Sequence, residues 1–540
     1  MNDLDRTTDG LAAHVDRMVP RILSQACRDP NAPAYGAFDR DWWHYRIRDF
    51  PSIILQQGGY AAWLAGGLKS WAPGQAGLTA LAAASARFWN RRAVRHGAFE
   101  EYYPWEHAYP PAAFSTLAVM KLAAAGVVPS DSVRAGAVVA ARQLLRRFEP
   151  EAANQQVAGL AALAWLRKVF PDLAPEPAFA KVAARTLALQ SDEGWFMEYG
   201  GPDLAYLSVA LDALWDLLDA TGDQRYRDAI ERAVACMAEY VPLMRASIGM
   251  HNARNTDYIL PYGLVRCLAA GGPSQALAAA LLPMLYGNVQ SPDHFLHAID
   301  DRYHCHYSGH SLIRATRLLR ELQAGGRWPD PGPLADTAVE RLLPGCGHYL
   351  RRRPATDGVS VLLSLRKGGV LTALRGADRV SDFGWVVTVG TTQHVSHWWS
   401  PDWSWTREPD GFTVKGRLTP HRELVSTPAK HAVLRLLSLV LGSGLIPALK
   451  AQLIFKKRPS PYGFERRIVL EDARIRIADR ITGLPAGAQI ESAPRASKRH
   501  VSSADAFHGE DLRLCVGPVC ERTTQCEGGV FRAETVYSFT

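Results

Sequence analysis

The chain carries no CxxC pair. Its eight cysteines (Cys27, Cys236, Cys267, Cys305, Cys346, Cys515, Cys520 and Cys526) are dispersed, which excludes a thioredoxin-type redox site and fits free thiols in a reducing compartment. Cys515, Cys520 and Cys526 lie close together, but their spacing matches no standard zinc pattern. The opening MNDLDRTTDGLAAHVDRM has acidic residues where an export signal needs a basic region, and no apolar run comes after it. No signal peptide is therefore expected, and a cytoplasmic protein, peripheral at most to the inner membrane, is. Basic residues are scattered, the net charge is only +8 over 540 residues, and no nucleic-acid-binding motif occurs, so nucleic acid is not an expected partner. No repeat of fixed period is visible, which argues against a TPR-like or HEAT-like array.

The composition is ordinary for a soluble globular protein: 47% hydrophobic and 21% charged residues. The length exceeds what one core supports, so at least two domains are expected. Residues 1–60 read as an irregular, aromatic segment packed on a helical domain: a short helix, then FDRDWWHYRIRDF with Trp42 and Arg46. From 61 to 348 the chain reads as successive Ala- and Leu-rich helices (76–90, 111–125, 130–147, 151–168, 176–190, 203–221, 224–241, 255–270, 274–286 and 309–324) punctuated by Gly and Pro. Short connections imply helical hairpins packed into an α/α toroid, an incomplete helical barrel. From 349 to 540 the texture alternates. GVSVLLSLRKGGVLTALR reads as a β-hairpin around a Gly-Gly turn, and the rest implies an antiparallel β-sandwich.

One segment interrupts that domain. KHAVLRLLSLVLGSGLIPALKAQLIFKKR, residues 430–458, is too short in its apolar part to span a bilayer, which takes roughly 20 residues. Its flanking Lys430, Lys450, Lys456, Lys457 and Arg458 give it the character of an interfacial helix on an anionic leaflet; an amphipathic helix packed on the β domain is the alternative.

Five polar and aromatic clusters sit at loop-to-helix junctions, which in a toroid fall on its rim. They are EYYPWEHAYPP with Trp105 and His107, EAANQQ with Asn154 and Gln155, DEGWFMEYGGPDLAY with Trp195, Tyr199 and Tyr206, GMHNARNTDYILPYG with His251, Arg254, Asn255 and Tyr258, and DDRYHCHYSGHS with His304, His306 and His310. Taken singly, each has a plain explanation: Asn154 suits an N-cap, and aromatic rings pack. The His-Cys-His run has no obvious carboxylate partner, which favours hydrogen-bonded structure over a metal site. No cofactor is expected, a structural divalent metal such as zinc being the minor alternative. Collected on one rim, these aromatics, amides, Arg and His are what a groove for an acidic sugar needs.

Asn154-Gln155 in AANQQVAGLAAL, the stretch EGWFMEYGGPDLAYLSVAL and RNTDYILPYG, with the order toroid then β-sandwich, resemble the heparinase II/III-like polysaccharide lyases and their alginate-lyase relatives. The resemblance implies β-elimination on a uronate-containing polysaccharide. An Asn that counters the uronate carboxylate corresponds to Asn154, and a proton-shuttling Tyr just over 50 residues later to Tyr206, which lies 52 positions on, with Tyr199 nearby. Arg254 and Gln155 supply further charge and amide donors, and His251 or His310 a partner acid or base. Trp42, Arg46, Trp105, His107, Trp195, Asn255 and Tyr258 are expected substrate contacts. Position 155 is Gln where such families usually have His, and HVSHWWSPDW is a loose substitute for their His-x-His-x-Asp run. A terpene-cyclase-like toroid is disfavoured by the lack of a DxDD or DDxxD motif. The readings left open are a lyase linked to capsule, O-antigen or exopolysaccharide metabolism, a uronate C5-epimerase using the same carbanion, and a non-catalytic glycan-binding scaffold; an acidic polysaccharide or lipid-linked glycan is the expected partner.

Overall fold

In the computed structural model, residues 2–97, 99–244, 248–326, 328–331, 338–354, 356–421, 426–455, 460–494 and 517–539 are described; Cys515, Lys456, Lys457 and Arg458 lie outside them. The helices are α1 (Asp3–Ser24), α2 (Arg40–Trp43), α3 (Gln57–Ala65), α4 (Gln75–His96), α5 (Tyr109–Ala124), α6 (Arg134–Arg146), α7 (Ala153–Val169), α8 (Glu176–Leu187), α9 (Leu204–Thr221), α10 (Gln224–Met244), α11 (Tyr262–Ala270), α12 (Pro273–Tyr286), α13 (Asp301–His304) and α14 (Tyr307–Ala324). Each forms for a local reason. In α9, for example, Asp203 caps the first turn and Gly222, at φ 70°, ends the last.

Helices α3, α5, α7, α9, α11 and α14 pack successively into a closed inner ring, α14 returning to α3. Helices α4, α6, α8, α10, α12 and α1 cover it from outside. The inner helices are apolar nearly all round, as helices buried on every side must be: α5 and α9 bury most of their residues. Residues 1–60 are more regular than their composition implies. α1 buries Leu4, Leu11, Val15, Met18 and Ile22 against the last inner helix, and α3 uses Gly58 and Gly59 to approach Phe38 and Ser85. The helix expected from 255 starts only at Tyr262, because hydrogen bonds from Arg254 and Thr256 to Asp203, and from Asn252 to the Thr256 carbonyl, hold residues 252–257 as a buried loop.

The ring closes around a buried ion cluster. Asp216 of α9 accepts from Lys121 of α5 (2.6 Å) and from Arg314 of α14 (2.5 Å). Burial pushes the Asp216 carboxyl up, but the two cations more than offset it and hold it well below the usual range.

Among the described residues, the strands of the C-terminal part pair antiparallel. One sheet has the order β1 (Val339–Leu343), β2 (His348–Arg352), β3 (Ser360–Ser364), β4 (Val370–Arg375), β5 (Asp378–Asp382). The others are built from β6 (Trp385–Val389), β7 (Thr392–Val395), β8 (Ser404–Glu408), β9 (Gly411–Arg417), β10 (Thr419–His421), β11 (Gly463–Leu470), β12 (Arg474–Thr482), β13 (Gln489–Ser492), β14 (Val519–Glu527) and β15 (Val530–Ser538). They run β10-β7-β6-β13 and β14-β15-β12-β11-β9-β8. Strict alternation in β12 (Ile475, Ile477 and Ile481 inward) supplies the sandwich core. The Gly-Gly turn falls where expected: Gly368 and Gly369, at φ 65° and 75°, connect β3 to β4. Arg466 on β11, fully buried, bridges Asp382 of β5 (2.9 Å) and Asp479 of β12 (2.8 Å) and so ties the sheets together. Between β10 and β11 rise α15 (Pro428–Leu441) and α16 (Leu445–Lys450).

Asp216→Ala leaves Lys121 and Arg314 buried without their counter-charge and is expected to lower the unfolding free energy by about 3–5 kcal/mol in urea titrations. The folded Asp216 titrates below its unfolded value, so its contribution is complete above about pH 4 and is lost as pH falls. Wild type and variant should therefore converge in acid.

Candidate functional site

The inner helices α5, α7, α9, α11 and α14 begin on one rim of the toroid. Asn154 is the second residue of α7. Its side-chain Nδ2 donates to Glu198 Oε2 (2.8 Å) and its backbone N–H to Glu198 Oε1 (2.6 Å). Burial raises the Glu198 carboxyl well above its ordinary range, against these two hydrogen bonds. Next to it, Gln155 donates to the Tyr199 hydroxyl (3.2 Å). The Arg254 guanidinium lies 3.9 Å from the centre of the Tyr199 ring.

Asp203 aligns the two chain segments. Its Oδ1 caps α9 by accepting from the N–H groups of Ala205 (3.1 Å) and Tyr206 (3.2 Å). Its Oδ2 accepts from the Thr256 hydroxyl (2.8 Å) and the Arg254 N–H (3.3 Å). Asn252 adds a bond from its Oδ1 to the Leu204 N–H (2.8 Å). One buried carboxylate thus positions both Tyr206 and Arg254. Burial raises it to about 6 in spite of these donors.

Tyr206 is only 7% exposed. Burial pushes its hydroxyl well up; Arg254 is the leading influence in the other direction, while Tyr303, Tyr199 and Asp203 add to the rise. Tyr258 and Tyr307 share a hydrogen bond (2.7 Å), and Tyr303 reaches Tyr307 (3.2 Å). The rim therefore gathers Asn154, Gln155, Tyr199, Tyr206, Arg254 and Tyr258, as the sequence pattern implies.

The other candidates are placed elsewhere. His251 sits in the seam between the domains, its Nδ1 on Ser364 Oγ (2.7 Å) and its Nε2 on Thr372 Oγ1 (2.8 Å); burial keeps it neutral. His310 lies inside the ring, 3.3 Å from Gln57 Oε1 and against Tyr60, near the Asp216 cluster. Trp195 donates to Glu193 (2.9 Å), which in turn accepts from the backbone of Gly345 and Cys346 in the seam. Asn255 accepts from Lys367 of the β domain. Trp42 packs on Phe88, and Arg46 is exposed. Trp105 and His107 border the loop between α15 and α16, Gly442 lying against the Trp105 carbonyl. Among the described residues, the non-glycine positions at positive φ are Arg46, Trp105, His107, Tyr199 and Asn255. All five are sequence-predicted site residues, and each such conformation costs of order 1 kcal/mol that its surroundings must offset. No trio of His, Cys, Asp or Glu side chains that would hold a metal comes together among the described residues.

Three neighbours of the site come from distant sequence. Lys450 of α16 hydrogen-bonds Glu149 (2.7 Å) and lies 5.3 Å from the Tyr199 ring centre; burial opposes its charge, but Tyr199 and Glu149 hold its ammonium above the usual range. Phe455 packs its ring 6.4 Å from that of Tyr199. From the β domain, Trp399 fits against Gly200 and Gly201, where a Cβ on Gly201 would come within 2.5 Å of the indole. No local motif marks these three; the only sequence signal is that each lies in a segment with an aromatic or basic flank.

No family model and no curated protein matches the sequence. Among solved structures, the chain is similar to the chondroitin AC lyase of Streptomyces coelicolor A3 in complex with chondroitin sulphate. The TM-score is 0.54 at 12% identity, over 98% of this chain and 77% of that one. A variant of that lyase aligns at TM-score 0.47 and 12% identity, over 100% of this chain and 80% of that one. A heparan sulfate lyase HepC mutant from Pedobacter heparinus aligns at 0.35 and 8%, over 97% of this chain and 83% of that one. The first of these similarities shows a shared fold: the chain has a polysaccharide lyase-like fold, a helical toroid followed by antiparallel sheets.

Asp203→Ala should cost about 1–3 kcal/mol through the lost cap and the unsatisfied donors, and Asp203→Asn less than about 1. A carboxyl raised on folding to about 6 stabilises the fold fully only below its unfolded value of about 4 and loses that contribution as pH rises between the two. Wild type should therefore lose stability relative to Asp203→Asn over that interval in urea titrations.

Proposed function

We propose that the chain acts on an acidic, uronate-containing polysaccharide, free or lipid-linked, by abstracting the C5 proton of a uronate and eliminating the sugar at C4. The observation that supports this most is the stack of Arg254 on Tyr199 beside Tyr206, at the N-terminus of α7 where Asn154 and Gln155 stand. A uronate C5 proton becomes acidic only when its carboxylate is countered. Amide donors, a guanidinium and the positive end of a helix are suited to that task.

Tyr206 is the proposed shuttle. Its hydroxyl is neutral in the closed site, and Arg254 is the influence that favours its anion. Once its own proton has passed to water, the phenolate takes the C5 proton; the electron pair of that C–H bond becomes the C4–C5 double bond, the C4–O bond breaks, and the leaving oxygen takes the proton from Tyr206, which regenerates the phenolate. If a second proton donor on the opposite face of C5 protonates the same carbanion before the C4–O bond breaks, the outcome is epimerisation. Bacterial envelope polysaccharides (capsule, O-antigen, exopolysaccharide) are polymers of the required class.

A second reading is favoured by one observation. Asn154 is 2% exposed and engaged with Glu198, Phe455 and Lys450 close over Tyr199, and Trp399 lies against Gly200 and Gly201 beside it. A site so covered fits a non-catalytic glycan-binding scaffold unless α16 and the residues after it move away.

The purified protein should generate the ultraviolet absorbance of an unsaturated uronate from at least one member of a panel of uronate polysaccharides. Tyr206→Phe should lower that rate by about 10²–10⁴-fold while leaving the melting temperature near that of wild type. A flat trace over the panel, with retained binding, would favour the scaffold.

A further inference from the structure

We propose that α15 and α16 dock the protein on an anionic lipid bilayer, lying in the interface rather than crossing it. A helix apolar on nearly all sides is ordinarily buried. Here it is not: Val440 is 83% exposed and Leu436 66%, and Val433, Leu437, Leu439 and Leu441 are also exposed. Of the residues of α15, only Ser438 is buried.

The occupant is identified by charge and geometry. Between Leu424 and Phe464 the sequence contains no Asp or Glu but six Lys and Arg; Arg435 and Lys450 pair with Asp49 and Glu149, and Lys430, Lys456, Lys457 and Arg458 form the basic flank. Such a combination of apolar face and basic flank matches the headgroup region of an anionic leaflet, where the negative surface potential attracts added cations. By length and composition alone the stretch Pro428–Lys450 is apolar enough to cross a membrane, contrary to the expectation from its sequence, but its shape argues for the interface. The 14 residues of α15 reach about 21 Å against a hydrocarbon core of about 30 Å, and Gly442, at φ 48°, breaks the helix before α16. Both helices are also fastened to the toroid rim: Arg435 to Asp49, the loop Ser443 to Arg147, and Lys450 to Glu149. The apolar side therefore points away from the rim while Lys450 and Phe455 face Tyr199. Docking would bring the Tyr199–Tyr206 rim to the membrane surface. The proposal rests on this geometry and holds whichever chemistry the rim performs.

The test is flotation of the full-length protein with phosphatidylcholine vesicles, with and without phosphatidylglycerol, alongside a Leu436→Glu/Val440→Glu double variant. Both positions are exposed, so the variant should keep the wild-type melting temperature. Wild type should float with phosphatidylglycerol vesicles, less as salt is raised, and the variant should lose about tenfold or more of that binding. Wild type that stays at the bottom of the gradient, equal flotation of the variant, or no preference for the anionic lipid would overturn the proposal. So would a lipid-free wild-type dimer, by size-exclusion chromatography, that the double variant converts to monomer: a second copy would then cover the face.

Discussion

Asp203 stands at the junction on which the rim depends. It ends the Gly-rich loop, caps the helix that carries Tyr206, and accepts from Thr256 and the Arg254 N–H across the loop at 252–257. A carboxylate buried among N–H and O–H donors loses hydration and regains much of it from fixed partners. The balance leaves Asp203 raised but well bonded. Glu198 does the corresponding work for Asn154 from the other side of the same loop. Two acidic side chains thus hold in place a tyrosine, an arginine and an amide drawn from three inner-ring junctions.

The ring itself depends on a different carboxylate. Asp216 draws Lys121 and Arg314 into the interior, so α5, α9 and α14 converge there while their N-termini present the rim. The β domain closes the assembly through directed polar contacts: His251 between Ser364 and Thr372, and Lys367 on the Asn252 carbonyl. Such contacts fix orientation more than they add stability, because each exchanges water for a protein partner.

The helical half and the sheet half are legible in the sequence because their periods differ, 3.6 against 2, and because Gly and Pro mark the junctions. Asn154, Tyr199, Tyr206 and Arg254 are legible because each stands at a polar, aromatic break before an apolar helix. α1 is harder to read as an outer-ring helix, since its buried face includes Thr7, Thr8 and His14 among the aliphatics. His251 and His310 look like proton carriers by residue type. Their partners, hydroxyls of the β domain and Gln57 with the Asp216 cluster, come from segments that only the fold brings near. Lys450 is recognisable as a basic flank, but its position over Tyr199 depends on how α15 and α16 fold back from the sheets to the toroid.

On the proposed chemistry, the rim group of Asn154, Tyr199, Tyr206 and Arg254 removes a proton from C5 of a uronate. Exchange of that proton with solvent tests it whatever the final product is. Incubating uronate polysaccharides with the protein in heavy water and following the C5 position by NMR should show deuterium entering C5, or the C5 proton disappearing on elimination, at a rate that falls in Tyr206→Phe. A glycan that binds the protein yet keeps its C5 proton indefinitely would contradict that chemistry and leave the rim a binding surface alone.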